Sequence, residues 1–125
     1  EEGLPCVFYG DYYGISGEFA QESFQDVLDK LLDIRLNLAY GEQTDYFDDT
    51  NCIGWTRQGK GGGQPIAVVV SNDQASSKRM LVGSEWAGRE FSDYLVKSSQ
   101  IVTIDEDGWG EFPVEEKSVS VWSVK

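Results

Sequence analysis

Apolar positions along the chain change period once, near Gly41. Before it they fall at Phe24, Val27, Leu28, Leu31, Ile34 and Leu38, the three- and four-residue spacing of one helix face, opposite Gln25, Asp29, Lys30 and Asp33. The spacing predicts an amphipathic helix from Ser23 to Leu38, with Ser23 and Asp26 as a capping box and Gly41 as the left-handed residue that ends it. Beyond Gly41 the period falls to two and turn residues separate short runs. This predicts strands Cys52–Arg57, Ile66–Ser71, Arg79–Val82, Phe91–Tyr94, Ile101–Ile104, Trp109–Val114 and Ser118–Val124. The run from Ile66 to Val70 is apolar without alternation and is expected at the centre of a sheet. Asp107-Gly108 and Glu115-Glu116-Lys117 mark tight connections, and the glycine-rich segment from Lys60 to Pro65 is expected to be a mobile hairpin loop. The whole reads as an antiparallel β-sandwich with hairpin and Greek-key links.

The first residues read differently. Cys6-Val7-Phe8-Tyr9 has no polar alternation, which predicts a strand buried on both faces, the habit of a parallel sheet, running out into an acidic and aromatic loop. Such a sheet needs neighbours that the sequence does not supply upstream, so the chain is expected to be a fragment of something larger. Cutting that sheet exposes the helix stripe and the first strand, and this apolar surface is expected to be covered by folding back onto the sandwich or by self-association.

Composition narrows the chemistry. With 125 residues, the segment after Gly41 is long enough to bury a core of its own. A net charge of −12, with ten Lys and Arg that do not cluster, argues against nucleic acid and anionic membrane surfaces as partners. No run is apolar for long enough to span a bilayer, and the start shows neither a basic region nor a cleavage pattern. The compartment is not assigned by this, with a cytoplasmic setting slightly favoured over secretion. The absence of His removes Ser-His-Asp and Cys-His arrangements and His-ligated zinc. Cys6 and Cys52, far apart and each among apolar neighbours, are expected to be buried free thiols. Asp105, Asp107 and Gly108 echo a calcium loop, but Thr103 and Val114 stand where its first Asp and closing Glu belong, so a hairpin turn is expected. Gly61-Gly62-Gly63 lacks the helix and the Lys-Ser/Thr pair of a phosphate loop. Trp55, Trp109 and Trp122 fall at core-facing strand positions, whereas Trp86, beside Gly88, is expected to be the most exposed.

The order of motifs carries a resemblance. The run Gly-Leu-Pro-Cys-Val-Phe-Tyr-Gly-Asp-Tyr-Tyr-Gly, then Ala39-Tyr40-Gly41 with Asp45-Tyr46-Phe47-Asp48, Gly54-Trp55-Thr56-Arg57, Lys78-Arg79-Met80 with Val82-Gly83, Asp107 to Phe112 and Ser118 to Val121 resemble bacterial liquefying-type alpha-amylases of glycoside hydrolase family thirteen. The resemblance covers nearly the whole chain. It implies that residues 1–41 are the last strand and helix of a catalytic (β/α)8 barrel and that residues 42–125 are the β-sandwich called domain C. A parent of this kind hydrolyses internal α-1,4-glucosidic bonds of starch or glycogen-like glucans with retention, using carboxylates on earlier barrel strands that this chain lacks. The chain alone is then not an enzyme, and its partners are the α-glucan, through the parent, and the missing barrel.

Site residues follow from the same resemblance. Asp11, Tyr12 and Tyr13 follow the barrel strand and would line the parent's glucan cleft, or Asp11 would hold its own Gly-rich loop. The sandwich would pack on the barrel and stabilise it; the alternative is a module that tethers the enzyme to glucan through exposed aromatics, Trp86 first. Calcium at the junction of barrel and domain C is a feature of such amylases, but its positions align with Thr50, Asn51 and Asn72, where amide and hydroxyl oxygens replace charged ligands. No metal or cofactor is expected in this chain, and any calcium of the parent is placed upstream.

Overall fold

A computed structural model describes residues 4–61 and 63–125. Along the chain lie α1 (Tyr9–Tyr13), α2 (Gln25–Asn37), β1 (Gln43–Tyr46), β2 (Cys52–Arg57), β3 (Ile66–Ser71), β4 (Ser76–Leu81), β5 (Glu90–Asp93), β6 (Ile101–Thr103), β7 (Trp109–Val114) and β8 (Val119–Val124). Six strands form one antiparallel sheet in the order β1-β2-β3-β8-β5-β6, and β4 pairs with β7 in a second. The connections β3–β4, β4–β5, β6–β7 and β7–β8 all cross between the sheets, which is the Greek-key sandwich the turn spacing predicts.

The unbroken apolar run of β3 has a direct cause. Ala67 and Val69 point between the sheets, into a core with Met80, Phe91, Ile104, Phe112 and Trp122. Ile66 and Val68 point the other way, into a second cluster with Val121, Leu95 and Ile34. That second cluster is where α2 lies, so the six-stranded sheet is covered on both faces. Lys30 Nζ donates to Leu95 O (3.1 Å) and Tyr94 Oη to Asp33 Oδ2 (2.5 Å), fixing the helix at the polar margin of this contact. Leu31, Ile34 and Leu38 of the expected stripe fold back onto the sandwich, while Phe24 stays exposed.

The first strand is a correction. Residues 4–8 join no sheet, and the chain turns into α1 instead, with Gly14 N donating to Gly10 O (2.8 Å). A strand's N–H and C=O groups need a neighbouring strand, whereas one helical turn satisfies its own. Two helices, not a strand and a helix, therefore precede the sandwich. Cys6 is exposed for the same reason, against the expected burial; Cys52 is buried, and both are free thiols. The opening Gly3 lies outside the described residues.

Smaller departures concern boundaries. The Ser23 hydroxyl accepts from Gln25 N (3.1 Å) and donates to Tyr12 O (2.6 Å), so it ties α1 to α2 instead of closing a capping box with Asp26. Gly41 has φ 82°, but α2 ends at Asn37 with Leu38 as its cap; the glycine is needed because a Cβ there would collide with Gly59 O. Sequence periodicity misses β1, whose Gln43, Thr44 and Asp45 are exposed on an edge strand. It also starts β4 at Arg79, three residues late. The Asp105 to Trp109 turn does not join a hairpin, since β6 and β7 belong to different sheets. In the 60–65 loop, Gly63 N donates to Lys60 O (2.9 Å), and Gly62 lies outside the described residues. Among the described residues no helix is long and apolar enough to cross a membrane.

Candidate functional site

Three tyrosines gather where α1 meets α2. The Tyr13 ring lies 4.7 Å from both Tyr9 and Tyr12, tilted at 44° to the first and edge-on at 78° to the second. Tyr12 Oη donates to Asp29 Oδ1 (2.6 Å), and this bond to a carboxylate pushes the phenol above its ordinary value of 10.0. Asp11 Oδ1 accepts from Gln21 Nε2 (2.7 Å), and Asp11 O accepts from Phe24 N (2.8 Å). Asp11 thus holds the Gly-rich loop against the start of α2, while the rings of Tyr9 and Tyr13 stay exposed. Of the three expected cleft residues, Tyr13 stays exposed although two rings touch it, and the polar groups of the other two are engaged within the chain.

A second feature lies along α2 and went unnoticed in its periodicity. Phe24, Leu28, Leu32 and Leu36, each four residues apart, form a row distinct from the one seated on the sheet. Phe24, Leu32 and Leu36 are exposed, and Leu36 retains 68% of its surface. Leu32 and Leu36 line an open depression with Pro5, Ala39 and Tyr40, bordered by Arg35 and Arg57. The row was legible at i, i+4, i+8 and i+12, but a single stripe drawn through Leu28 concealed that the helix is apolar on two sides.

The tryptophans are mostly occupied. Trp122 is fully buried, Trp55 packs in the cluster beneath α2, and Trp109 lies edge-on to Tyr46 (6.4 Å) with the Arg79 guanidinium 5.6 Å above its ring. Trp86, expected as the exposed one, is half-buried and packs against the intersheet core. The short helical turn Ser84–Trp86, whose Trp86 N donates to Gly83 O (3.1 Å), rotates the indole inward.

Thr50, Asn51 and Asn72 are all exposed near one another, with Asn72 N donating to Asn51 O (3.1 Å). Of the neighbouring carboxylates, Asp49 Oδ1 accepts from Asn51 N (2.7 Å) and Asp48 pairs with Lys78. Asp49 and Asp73 share a shallow hollow with Asn51, so at the three expected positions themselves the donors are one hydroxyl and two amides, with the charged oxygens supplied by neighbours. Among the described residues no group of three His, Cys, Asp or Glu is placed to hold a metal.

Comparison with known proteins places these features. Residues 66–123, which run from β3 into β8, match the family model described as alpha-amylase C-terminal. The match takes in 58 of the 125 residues, a little under half of the chain. The chain is 47% identical over 124 residues to an alpha-amylase of Geobacillus stearothermophilus, covering 98% of the chain and 22% of the relative. It is 43% identical to a glucan 1,4-alpha-maltohexaosidase of Bacillus sp. (strain 707), covering 98% of the chain and 24% of that protein. The chain therefore spans about a quarter of the length of the curated relatives it matches. The crystal structure of gamma-CGTase from alkalophilic Bacillus clarkii shares the fold, with a TM-score of 0.58 at 21% identity over 79% of this chain and 16% of that one. The resemblance read from the motifs holds along nearly the whole chain.

Proposed function

We propose that this chain is the non-catalytic C-terminal part of an alpha-amylase, divided near Gly41 into a barrel tail (1–41) and a sandwich (42–125), and that the sandwich packs on the barrel and stabilises it. The observation that carries the reading is the two-sided α2. One row, with Leu31 and Ile34, is seated on the sandwich, and the other, with Leu32 and Leu36, lies open to solvent. A helix apolar on both sides belongs between two bodies. Only one of them is present here, in a chain a quarter the length of its relatives.

The parent would hydrolyse internal α-1,4 bonds of starch-like glucans with retention, its acid and nucleophile lying upstream. Retention needs two free carboxyl groups about 5–5.5 Å apart across the bond. The carboxylates beside the tyrosine cluster are instead engaged, Asp11 with Gln21 and Asp29 with Tyr12. The Tyr13 face would serve the edge of the parent's cleft. Any calcium of the parent would be held upstream, away from Thr50, Asn51 and Asn72. A tethering role through Trp86 is less well supported, because that indole packs inward.

The test uses the full-length parent carrying Leu32→Asp and Leu36→Asp. The expected result is a lower Tm and a shorter half-life on heating, with kcat/KM on soluble maltodextrin unchanged at low temperature. An unchanged Tm would refute the packing role, and release of reducing sugar from starch by the purified 125-residue chain would refute the assignment of catalysis upstream.

A further inference from the structure

Helix periodicity turns Gln25, Asp29, Lys30 and Asp33 of α2 toward water, yet each of the four reaches a partner elsewhere in the chain. Gln25 Nε2 donates to Tyr12 Oη (3.4 Å), and the same phenol donates to Asp29 Oδ1 (2.6 Å). One turn further on, Lys30 Nζ donates to Leu95 O (3.1 Å) and Asp33 Oδ2 accepts from Tyr94 Oη (2.5 Å). Asp29 and Asp33, four residues apart, share one side of the helix. The polar side of α2 is therefore a bracket, with α1 fastened to its first half and the segment after β5 to its second.

Both fastenings are backed by the main chain. Asp93, 5% exposed, accepts from the backbone N–H groups of Leu95 (3.1 Å), Lys97 (2.9 Å), Ser98 (3.1 Å) and Val121 (3.3 Å), which locks the segment carrying Tyr94 and the Leu95 carbonyl to β8. Leu95 itself is buried in the cluster beneath α2. At the other end, Ser23 Oγ donates to Tyr12 O (2.6 Å) and Phe24 N to Asp11 O (2.8 Å), so the backbone of Tyr12 as well as its phenol is held on the start of α2. Tyr13 comes next, its ring edge-on to that of Tyr12 at 4.7 Å.

A phenol donating to a carboxylate makes a charge-assisted bond, but these two are exposed and each is modest in water. What the pair supplies is direction. One attachment leaves a helix free to swing, and a second, a turn away and facing another body, removes that freedom.

Resting on the reading that the Tyr13 face serves the edge of the parent's cleft, we propose that Asp29 and Asp33 are positioning residues for glucan binding. The sandwich, through Tyr94 and Asp33, sets the lie of α2, and α2, through Asp29 and Tyr12, sets the orientation of Tyr13. The sandwich thereby governs the parent's affinity for glucan without touching it.

The test is the kinetics of the full-length parent on maltodextrin, with KM and kcat read separately. Tyr12→Phe and Tyr94→Phe should each raise KM about two- to tenfold, the weight of one hydrogen bond, with kcat unchanged. The double variant should raise KM no further than the larger single change, because either break frees the same swing; effects that multiply would overturn the proposal. Asp33→Asn, which keeps an acceptor for the phenol, should restore most of what Asp33→Ala loses. Gly54→Ala, placed on β2, should lower Tm and leave KM native. A KM that simply follows Tm through all these variants, or a native KM in Tyr94→Phe, would also overturn the proposal. Tyr13→Ala separates the two failures: a raised KM there beside a native KM in Tyr94→Phe keeps the cleft reading and removes the positioning one, whereas an unchanged KM in Tyr13→Ala removes both.

Discussion

Lys78 Nζ lies 2.7 Å from Asp48 Oδ1, joining a side chain only 8% exposed to one 78% exposed. The alternation of β4 turns Lys78 inward beside Met80, and its stem runs past Gly54 on β2 so that the largely buried ammonium meets Asp48 in the β1–β2 connection. An inward lysine is tolerated because it reaches a partner.

Removing that partner should cost more than removing the lysine. Asp48→Asn strands a buried ammonium, whereas Lys78→Met replaces it with an apolar chain of similar shape, so thermal melts should show the larger fall in Tm for Asp48→Asn. The bond from Lys78 holds the Asp48 carboxyl below its ordinary value of 3.8. A depressed folded-state pKa gives stability that is fully present above the unfolded value and is lost as pH falls through the folded one. The Tm difference between the native chain and Asp48→Asn should therefore be constant at neutral pH and shrink below 3.8. A difference that persisted in acid would show that the pair is not its source.

Gly54 should not accept a side chain. A Cβ there would lie 2.7 Å from Met80 Sδ and 2.9 Å from Val68 O, the second being backbone of the adjacent strand. Gly54→Ala is expected to destabilise the chain by about 1–3 kcal/mol, as overpacking does, measured by urea unfolding. Met80→Ala in the same background should recover part of the loss only if the sulfur is the main obstacle.

The sandwich was legible because its strands carry their own signals. Cys52–Arg57, Ile66–Ser71 and Trp109–Val114 begin and end where the apolar alternation and flanking turn residues place them. What was illegible depends on partners. Cys6 to Tyr9 has the composition of a buried strand, but composition cannot supply the neighbour whose hydrogen bonds make it one. β1 has no alternation to read, since on an edge its Gln43, Thr44 and Asp45 all face solvent. Trp86 was misplaced because a turn, unlike a strand, does not announce which way its side chains face. The bonds made by Asp29 and Asp33 were invisible for a related reason: Tyr12 and Tyr94 come from segments far apart in the chain, and nothing in the helix spacing signals that they meet there.

The seat of α2 on the sheet rests on few contacts. Ile34 is the helix's buried residue, 5% exposed, and Tyr94 Oη bonds Asp33 from the sheet side. Ile34→Ala should cost about 2–5 kcal/mol and Tyr94→Phe about 1 kcal/mol. Hydrogen exchange should show the amides of α2 losing protection in both variants while those of β3 and β7 keep theirs in Tyr94→Phe. Equal loss throughout would mean that helix and sandwich unfold as one unit.

Val96 provides the last prediction, because its backbone and its side chain pull in opposite directions. At φ 58° a branched Cβ crowds its own peptide groups, a cost of about 1–2 kcal/mol that glycine does not carry. The side chain gives little in return, being 76% exposed. Against this, glycine loses about 0.5–1 kcal/mol more backbone entropy on folding. Val96→Gly should therefore stabilise the chain by about 0.5–1 kcal/mol in denaturant unfolding, an unusual sign for a substitution to glycine. If the conformation were enforced only by valine's own packing, the variant would relax and lose stability. Because Asp93 already fixes Leu95, Lys97 and Ser98 on either side through their N–H groups, the loop should keep its shape, and the amide shifts of those three residues should stay close to native.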